Sequence, residues 1–224
     1  MKKLLFALVF VVGFIFAQLA EAAPSPLWVQ KLPEAKTANQ LFIVAADKNS
    51  VAWVSLHEKD EDGNWNQIML TSGFVGRNGI DKKREGDGKT PTGTFQFTKA
   101  FGILPNPNSL MPYTQLDENL YWSSDTKCQY NQIVDIRDYP ELNKEVSEHL
   151  IDYSQQYTYA LNISYNRKGT ADIGSAIFLH CFDYETAATS GGIAISQDAM
   201  LFVLQNVTPE CAVIINSFKK LVRS

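Results

Sequence analysis

Alternation of apolar and polar residues along most of the chain predicts short β-strands. Strand-like runs occupy residues 41–46 (LFIVAA), 51–58 (VAWVSLHE) and 65–73 (WNQIMLTSG). Turn-forming residues separate these runs, DKNS at 47–50 and DEDGN at 60–64, so the three strands are predicted to form a meander. Further buried strands are predicted at residues 94–97, 157–166, 175–181 and 211–216.

Helical spacing of apolar residues occurs in two segments. It relates Leu142, Val146 and Leu150, and it returns across residues 196–207. In the second segment Ser196 is a candidate N-cap. The apolar face of that helix would consist of Met200, Val203 and Leu204. Because strands outnumber helices, the pattern predicts a mainly β domain with two or three helices.

Two long segments between the predicted strands have the composition of loops. Residues 76–93 are rich in glycine and charge, which indicates an exposed loop. Residues 101–132 combine Pro105, Pro107 and Pro112 with several tyrosines and a tryptophan. Such a stretch is either a binding loop or an irregular layer that covers the core, and the pattern alone favours neither.

The N-terminus has the three parts of an export signal. A lysine pair precedes the apolar run 4–17, which is too short to span a bilayer comfortably, and AEA at 20–22 offers a cleavage pattern. We therefore expect a signal peptide over residues 1–22. Residues 23–36 contain three prolines and are predicted to be a linker, followed by one domain over residues 37–224.

Composition and charge exclude several classes of protein. The chain is 45% apolar and 20% charged, which is globular rather than disordered. With 20 Lys and Arg against 24 Asp and Glu, its net charge is negative, so nucleic acid is not an expected partner. No later segment is apolar enough to serve as a stable membrane anchor after signal cleavage.

Cysteine and histidine usage argues against a metal site. The predicted domain has three cysteines, so at least one thiol is free or pairs between chains. Cys128 and Cys211 lie in no motif and are either core thiols or a disulfide pair, while Cys181 adjoins His180. No CxxC or HExxH motif occurs, and we expect no metal.

Two motifs are candidates for catalytic chemistry. GDGKT at 86–90 resembles a phosphate loop, but Lys83 stands where the first glycine belongs and Pro91 blocks the helix that should follow. His180 ends an apolar strand shortly before TSGG at 189–192. It is either a core histidine or a general base that faces a glycine turn, and chemistry alone leaves both possibilities open.

Three segments together resemble L,D-transpeptidase catalytic domains of the YkuD type. GDGKTPTGTF at 86–95 is similar to their Gly-Lys-Thr-Pro-x-Gly segment, and GSAIFLHC at 174–181 to their catalytic-histidine strand. TSGGIAI at 189–195 resembles their Ser/Thr-x-Gly-Cys signature. FGI at 101–103, MPY at 111–113 and YW at 121–122 also match the secreted branch of the family.

The resemblance implies a β-sandwich or mixed-sheet domain that acts on peptidoglycan in the cell envelope, the periplasm or outside the cell. In the family, a cysteine thiolate attacks a stem peptide, a D-alanine leaves and an amine of another stem takes the acyl group. This reaction cross-links the cell wall by Cys–His acyl transfer and implies no cofactor. The implied partners are peptidoglycan stem peptides.

Carried over residue by residue, the resemblance makes His180 the base and the carbonyl of Cys181 its orienting partner. The amides of Gly191 and Gly192 would stabilise the oxyanion. The nucleophilic cysteine belongs at position 192, where this chain has glycine, so the cysteine-dependent reaction is expected to be impaired. The residues expected to bind substrate are Tyr113, Tyr121, Trp122 and Ser190.

Three functional hypotheses follow from this glycine. The protein is a pseudoenzyme that binds stem peptides through a retained cleft, an active enzyme with a substitute nucleophile, or an enzyme silenced by a recent substitution. Cys181 and Ser190 are the candidate substitutes. The alternation of side chains along a strand argues against Cys181 as a substitute nucleophile. If His180 faces a cleft, its neighbour Cys181 should face the core.

Overall fold

The computed structural model describes residues 22–48, 50–182 and 188–223, and these form a mainly β fold. The predicted meander is confirmed, as are the strands predicted near residues 94, 160, 178 and 212. The strands of the main sheet are β1 (Ala23–Pro24), β2 (Gln40–Ala46), β3 (Val51–Lys59), β4 (Trp65–Phe74), β5 (Gly93–Gly102), β6 (Tyr113–Gln115), β10 (Ala160–Ile163), β11 (Phe178–Cys181), β12 (Ile193–Ile195) and β13 (Ala212–Ser217). A smaller sheet contains β7 (Leu120–Trp122), β8 (Ile133–Asp135) and β9 (Glu148–His149), and the helices are α1 (Leu27–Lys31), α2 (Gln197–Asn206) and α3 (Phe218–Leu221).

The main sheet closes on itself. Its strand order is β4-β12-β11-β10-β5-β13-β2-β3, and β3 pairs again with β4. One face of these strands contributes to a single apolar cluster, for example through Phe42, Val54 and Leu179. Helix α2 joins this cluster, as its predicted apolar face requires, and the Oγ atom of Ser196 accepts the Ala199 amide at 3.3 Å.

Residues 23–36 pack onto the sheet, so the prediction of a linker is wrong for this segment. β1 pairs with β4, and Val29, Leu32 and Ala35 are buried against the outer face of β2. Helix α1 ends before Pro33 because a residue that precedes proline disfavours the helical conformation. The predicted signal peptide lies outside the described residues apart from Ala22 and stays a prediction.

Residues 116–152 form a layer over one side of the closed sheet. The small sheet has the order β8-β7-β9, and Leu150 is buried beside it. The helical prediction for residues 142–150 is wrong, since Val146 is 51% exposed and the segment contains turns, β9 and a 3-10 turn. Asn143 accepts the Glu145 amide through its side chain at 3.1 Å, and this local bond competes with a helix.

All three described cysteines are free thiols, and each is buried. Cys181 and Cys211 belong to the main apolar cluster, whereas Cys128 packs in a separate cluster beside the small sheet. Of the two possibilities that the sequence left open for Cys128 and Cys211, the structure therefore has core thiols.

Candidate active site

His180 lies on β11 with its side chain directed away from the main core. Successive strand residues point to opposite faces, so Leu179 and Cys181 enter the core while Phe178 packs on the other side. The Nδ1 atom of His180 lies 2.8 Å from the carbonyl oxygen of Cys181. Because a carbonyl only accepts, this bond assigns the proton to Nδ1 and leaves Nε2 as an acceptor. Burial lowers the pKa of His180 and the carbonyl partly opposes this, so the neutral base is favoured.

Gly192 faces the imidazole of His180. A Cβ atom built at Gly192 would lie 3.2 Å from both Nε2 and Cδ2 of His180. It would also lie 2.7 Å from the carbonyl oxygen of Phe178, closer than real Cβ atoms approach backbone. The φ angle of Gly192 is outside the left-handed region, so contact with β11 and not backbone conformation resists a side chain here. A side chain at position 192 would therefore point at His180, as a nucleophile must. The surrounding backbone, however, leaves room only for glycine.

Two threonines hold the backbone around Gly192. Thr90 and Thr189 donate their hydroxyls to the Gly192 carbonyl at 3.0 and 2.7 Å. Thr90 also accepts the Gly76 amide, which ties three separate segments together. The Gly191 amide donates to Thr189 Oγ1 at 3.1 Å, so the predicted oxyanion role of Gly191 requires this bond to give way.

Residues 76–93 form a wall of the site, and the prediction of an exposed loop is wrong for its buried members Lys82 and Thr90. The Lys82 ammonium lies 3.0 Å from Asp87, and its side chain is 2% exposed. The same carboxylate accepts three amides of this loop, from Lys83, Arg84 and Lys89. Burial raises the pKa of Asp87, but these hydrogen bonds outweigh burial and hold it well below its usual range.

A cleft of about 370 Å³ opens in front of His180 and Gly192. Polar and charged side chains from distant parts of the chain line it alongside a few apolar ones. They include Arg77, Lys82, Glu85, Ser124, Glu148, Tyr157, Ser175, Phe178 and Ser190.

Hydroxyl groups hold two carboxylates on one wall of this cleft. The Tyr157 hydroxyl donates to Glu148 at 2.7 Å, and the Tyr157 ring lies edge-on to His180 with centroids 6.0 Å apart. Burial raises the pKa of Glu148, the Tyr157 bond lowers it, and the charge of Glu85 raises it further. Glu85 accepts two hydroxyls, those of Tyr130 at 2.6 Å and Ser175 at 2.8 Å.

The two candidate substitute nucleophiles are placed differently. Cys181 is 3% exposed in the core, its Sγ lies 3.7 Å from the Tyr159 carbonyl, and burial raises its thiol pKa to about 11. Ser190 lines the cleft and accepts a hydrogen bond from Arg77 at 3.0 Å.

The three aromatic residues expected to bind substrate lie outside the residues that line this cleft. Trp122 is buried against Phe178 and donates through Nε1 to Asn131. Tyr121 is buried and stacks on His149, because β7 forms the middle of the small sheet. The hydroxyl of Tyr113 donates to the Leu104 carbonyl at 2.6 Å. Of the four residues expected to bind substrate, the structure brings Ser190 to the cleft.

Sequence reasoning missed the charged walls of the cleft. Arg77, Glu85, Glu148 and Tyr157 belong to no motif and come together only through folding. The aromatic-rich composition of residues 101–132 suggested a binding surface, but the aromatic side chains of β7 pack within and beside the small sheet. One local signal was available: Asp87, which pairs with the cleft residue Lys82, lies inside the GDGKT motif.

The fold and site define a class of protein. A strand histidine oriented by a main-chain carbonyl faces a glycine-rich turn, as in Cys–His acyl-transfer enzymes, but here the facing residue is glycine. The family model for the YkuD L,D-transpeptidase catalytic domain matches residues 43–215. The chain therefore belongs to the L,D-transpeptidase catalytic domain family, whose members act on peptidoglycan.

Comparison with individual proteins adds less. No curated protein matches the chain. Among solved structures, it is similar to the helical cell shape determining protein Pgp2 from Campylobacter jejuni, with 16% identity and a TM-score of 0.41. That match covers 85% of this chain and 54% of Pgp2, so the chain spans about half of that protein's length. Among the described residues, no helix combines the length and apolarity needed to cross a membrane.

Proposed function

We propose that this protein binds peptidoglycan stem peptides in the cell envelope and does not perform cysteine-dependent acyl transfer. One observation carries the proposal: the position that faces Nε2 of His180 is Gly192, which has no atom to attack a carbonyl. Members of the family use a cysteine there to hold the acyl group. The cleft is retained, so recognition of the peptide survives the loss of this chemistry.

The position of Cys181 argues against a substitute nucleophile. Its sulfur is buried on the opposite face of β11 from His180, and burial raises the thiol pKa, which disfavours the thiolate. The hydroxyl of Ser190 is weakly acidic, and it already accepts a hydrogen bond from the Arg77 guanidinium. Neither side chain reproduces the thiolate–imidazole arrangement of the family.

The backbone near Gly192 also favours a binding role over a recently silenced enzyme. The close approach of Gly192 to the Phe178 carbonyl leaves too little room for a Cβ atom. A substitution that only removed the thiol would leave space behind it, whereas here the strand is packed around the glycine. The adaptation therefore extends from the side chain to the main chain.

Calorimetric titration of the purified exported protein with a stem tetrapeptide tests the proposal. We expect saturable binding without release of D-alanine, and no carbapenem adduct by intact-mass measurement. Ser190→Tyr should block the cleft, while Ser72→Tyr, on the exposed surface of β4, is the matched control. Release of D-alanine by the wild type, or undetectable peptide binding, would contradict the proposal.

A further inference from the structure

A second pocket, of about 200 Å³, lies between the β5–β10 pair and the small sheet. It shares no lining residue with the cleft in front of His180. Phe178 lines that cleft, and Trp122, which packs edge-on against Phe178 with ring centroids 4.6 Å apart, lines the second pocket. Drug-sized ligands occupy pockets of about 300–1,000 Å³, so this one admits a smaller group.

A β-bulge turns two consecutive side chains into this pocket. Asn162 on β10 pairs with Lys99 on β5. The next residue, Ile163, pairs with Phe97, so Thr98 is left without a partner. Consecutive residues of a regular strand point to opposite faces, but here Thr98 and Lys99 both line the pocket. The bulge therefore brings a hydroxyl and a cation to one place.

Asn131 fixes the opposite wall of the pocket. It is buried, its backbone is left-handed with φ 61°, and its side chain accepts the indole N–H of Trp122 at 3.2 Å. The same side chain donates to the carbonyls of Tyr165 and Asn166 at 3.1 and 3.0 Å. These bonds tie the small sheet to the segment after β10, which carries Arg167. The wall is therefore held by the fold.

The pocket is positively charged. Lys99, which is half-buried, and Arg167, at the exposed rim, both line it. Neither makes an ion pair with another described residue, and none of the described residues that line the pocket is acidic. Because the chain as a whole has a net charge of −4, this pocket departs from the overall charge. An anion placed there would gain from both cations.

Neutral side chains in the pocket favour an anion that also carries hydroxyls. Asn162 donates through Nδ2 to Thr98 at 2.7 Å, and no described residue donates to its Oδ1 atom. The amide of Gln132 lines the pocket and likewise has no hydrogen bond to a described residue. Amide oxygens only accept, so an ion made of acceptor oxygens alone leaves them unmatched. Sugar hydroxyls both donate and accept.

We propose that this pocket binds an anionic saccharide. Lys99 and Arg167 hold its carboxylate or phosphate, because ammonium and guanidinium groups donate charge-assisted hydrogen bonds to both. The amides of Gln132 and Asn162 hold its ring hydroxyls. The site is separate from the His180 cleft, so the inference does not rest on the proposed function.

Calorimetric titration of the exported protein with four probes tests the ligand class. Glucuronate and glucose-6-phosphate carry the shared chemistry and distinguish a carboxylate source from a phosphate source. Glucose lacks the charge, and inorganic phosphate lacks the hydroxylated ring. We expect at least one of the two anionic sugars to bind, with glucose and inorganic phosphate each about 10-fold or more weaker.

Three variants test the residues. Lys99→Gln and Arg167→Gln should each raise the Kd of the bound anionic sugar about 10-fold or more, because each removes one charge-assisted contact. Lys168→Gln is the matched control, since it removes the same charge from the exposed neighbour of Arg167, which does not line the pocket. Its Kd should equal that of the wild type. Circular dichroism verifies that each variant is folded.

Several outcomes would overturn the inference. Failure of both anionic sugars to bind removes the ligand class. Equal binding of inorganic phosphate and the sugar phosphate contradicts the role of the amides, and equal weakening by Lys168→Gln and Arg167→Gln shows general electrostatic attraction without a site. Loss of stem-peptide binding in the cleft, by contrast, contradicts the proposed function alone, because the two pockets share no residue.

Discussion

Gly192→Cys places a thiol beside the imidazole of His180 and tests the site most directly. The new Cβ would lie 3.2 Å from Nε2 of His180, so Sγ, one bond further out, can reach hydrogen-bond distance of the ring. The imidazole is neutral and its Nε2 accepts, so the thiol pKa should fall below its ordinary value of about 8.5. We expect the variant to form a carbapenem adduct, but to exchange the terminal D-alanine of a tetrapeptide only slowly, because the strand packed around the glycine must shift to admit the side chain.

The same substitution has a steric cost that can be worked from the structure. Its Cβ would lie 2.7 Å from the Phe178 carbonyl oxygen, and real Cβ atoms stay beyond 3.0 Å. The start of β12 must therefore move by several tenths of an ångström. Overpacking of this kind costs about 2 kcal/mol of unfolding free energy. For a chain of this length, that lowers Tm by about 4–8 °C.

Two control variants separate the chemistry from the packing. Gly192→Ala carries the same Cβ and no thiol, so it should match the Tm loss of Gly192→Cys and form no adduct. Gly192→Cys combined with His180→Ala retains the thiol without its base and should react slowly. An unchanged Tm in Gly192→Ala would refute the steric argument. A folded Gly192→Cys that is inert would show that position 192 does not present a side chain to His180 as the structure indicates.

Other predictions concern the loop, the core thiol and export. Asp87→Asn should cost about 3 kcal/mol at pH 7 because Lys82 stays buried without its partner. The lowered pKa of Asp87 means that its stabilisation is complete above about pH 4 and is lost at lower pH, so in denaturant titrations the difference from wild type should shrink there. Alkylation of Cys181 by iodoacetamide should require unfolding, and labelling of the folded protein would contradict its burial. Intact mass of envelope protein should show a chain that starts near Ala23, and full-length protein confined to the cytosol would argue against export.

Local features of the fold were predictable because their causes are local. The meander follows from turn residues between alternating strands, and α2 follows from its cap at Ser196 and its spaced apolar residues. The spacing of Leu142 and Val146 wrongly predicted a helix, because an exposed valine can fall at helical spacing by chance. Residues 23–36 misled because their prolines suggested a linker, while their apolar side chains cover the outer face of β2.

The centre of the candidate site was partly predictable, because three motifs in the expected order led to His180 and Gly192. Its walls were not, since Arg77 and Glu148 are far apart in sequence and no spacing relates them. The same limit explains why the sequence predicted Trp122 to bind substrate. An aromatic side chain fits both a binding surface and the packing that Trp122 has beside Phe178.

The sequence by itself determined the family, the absence of a side chain at position 192 and the opposite faces of His180 and Cys181. These depend on residue identity and on the two-residue period of a strand, both of which are local. Only the tertiary structure decided how closely Gly192 approaches the Phe178 carbonyl, because that distance depends on the pairing of β11 with β12. It also decided the charge of the cleft, because folding brings side chains from distant segments to one surface.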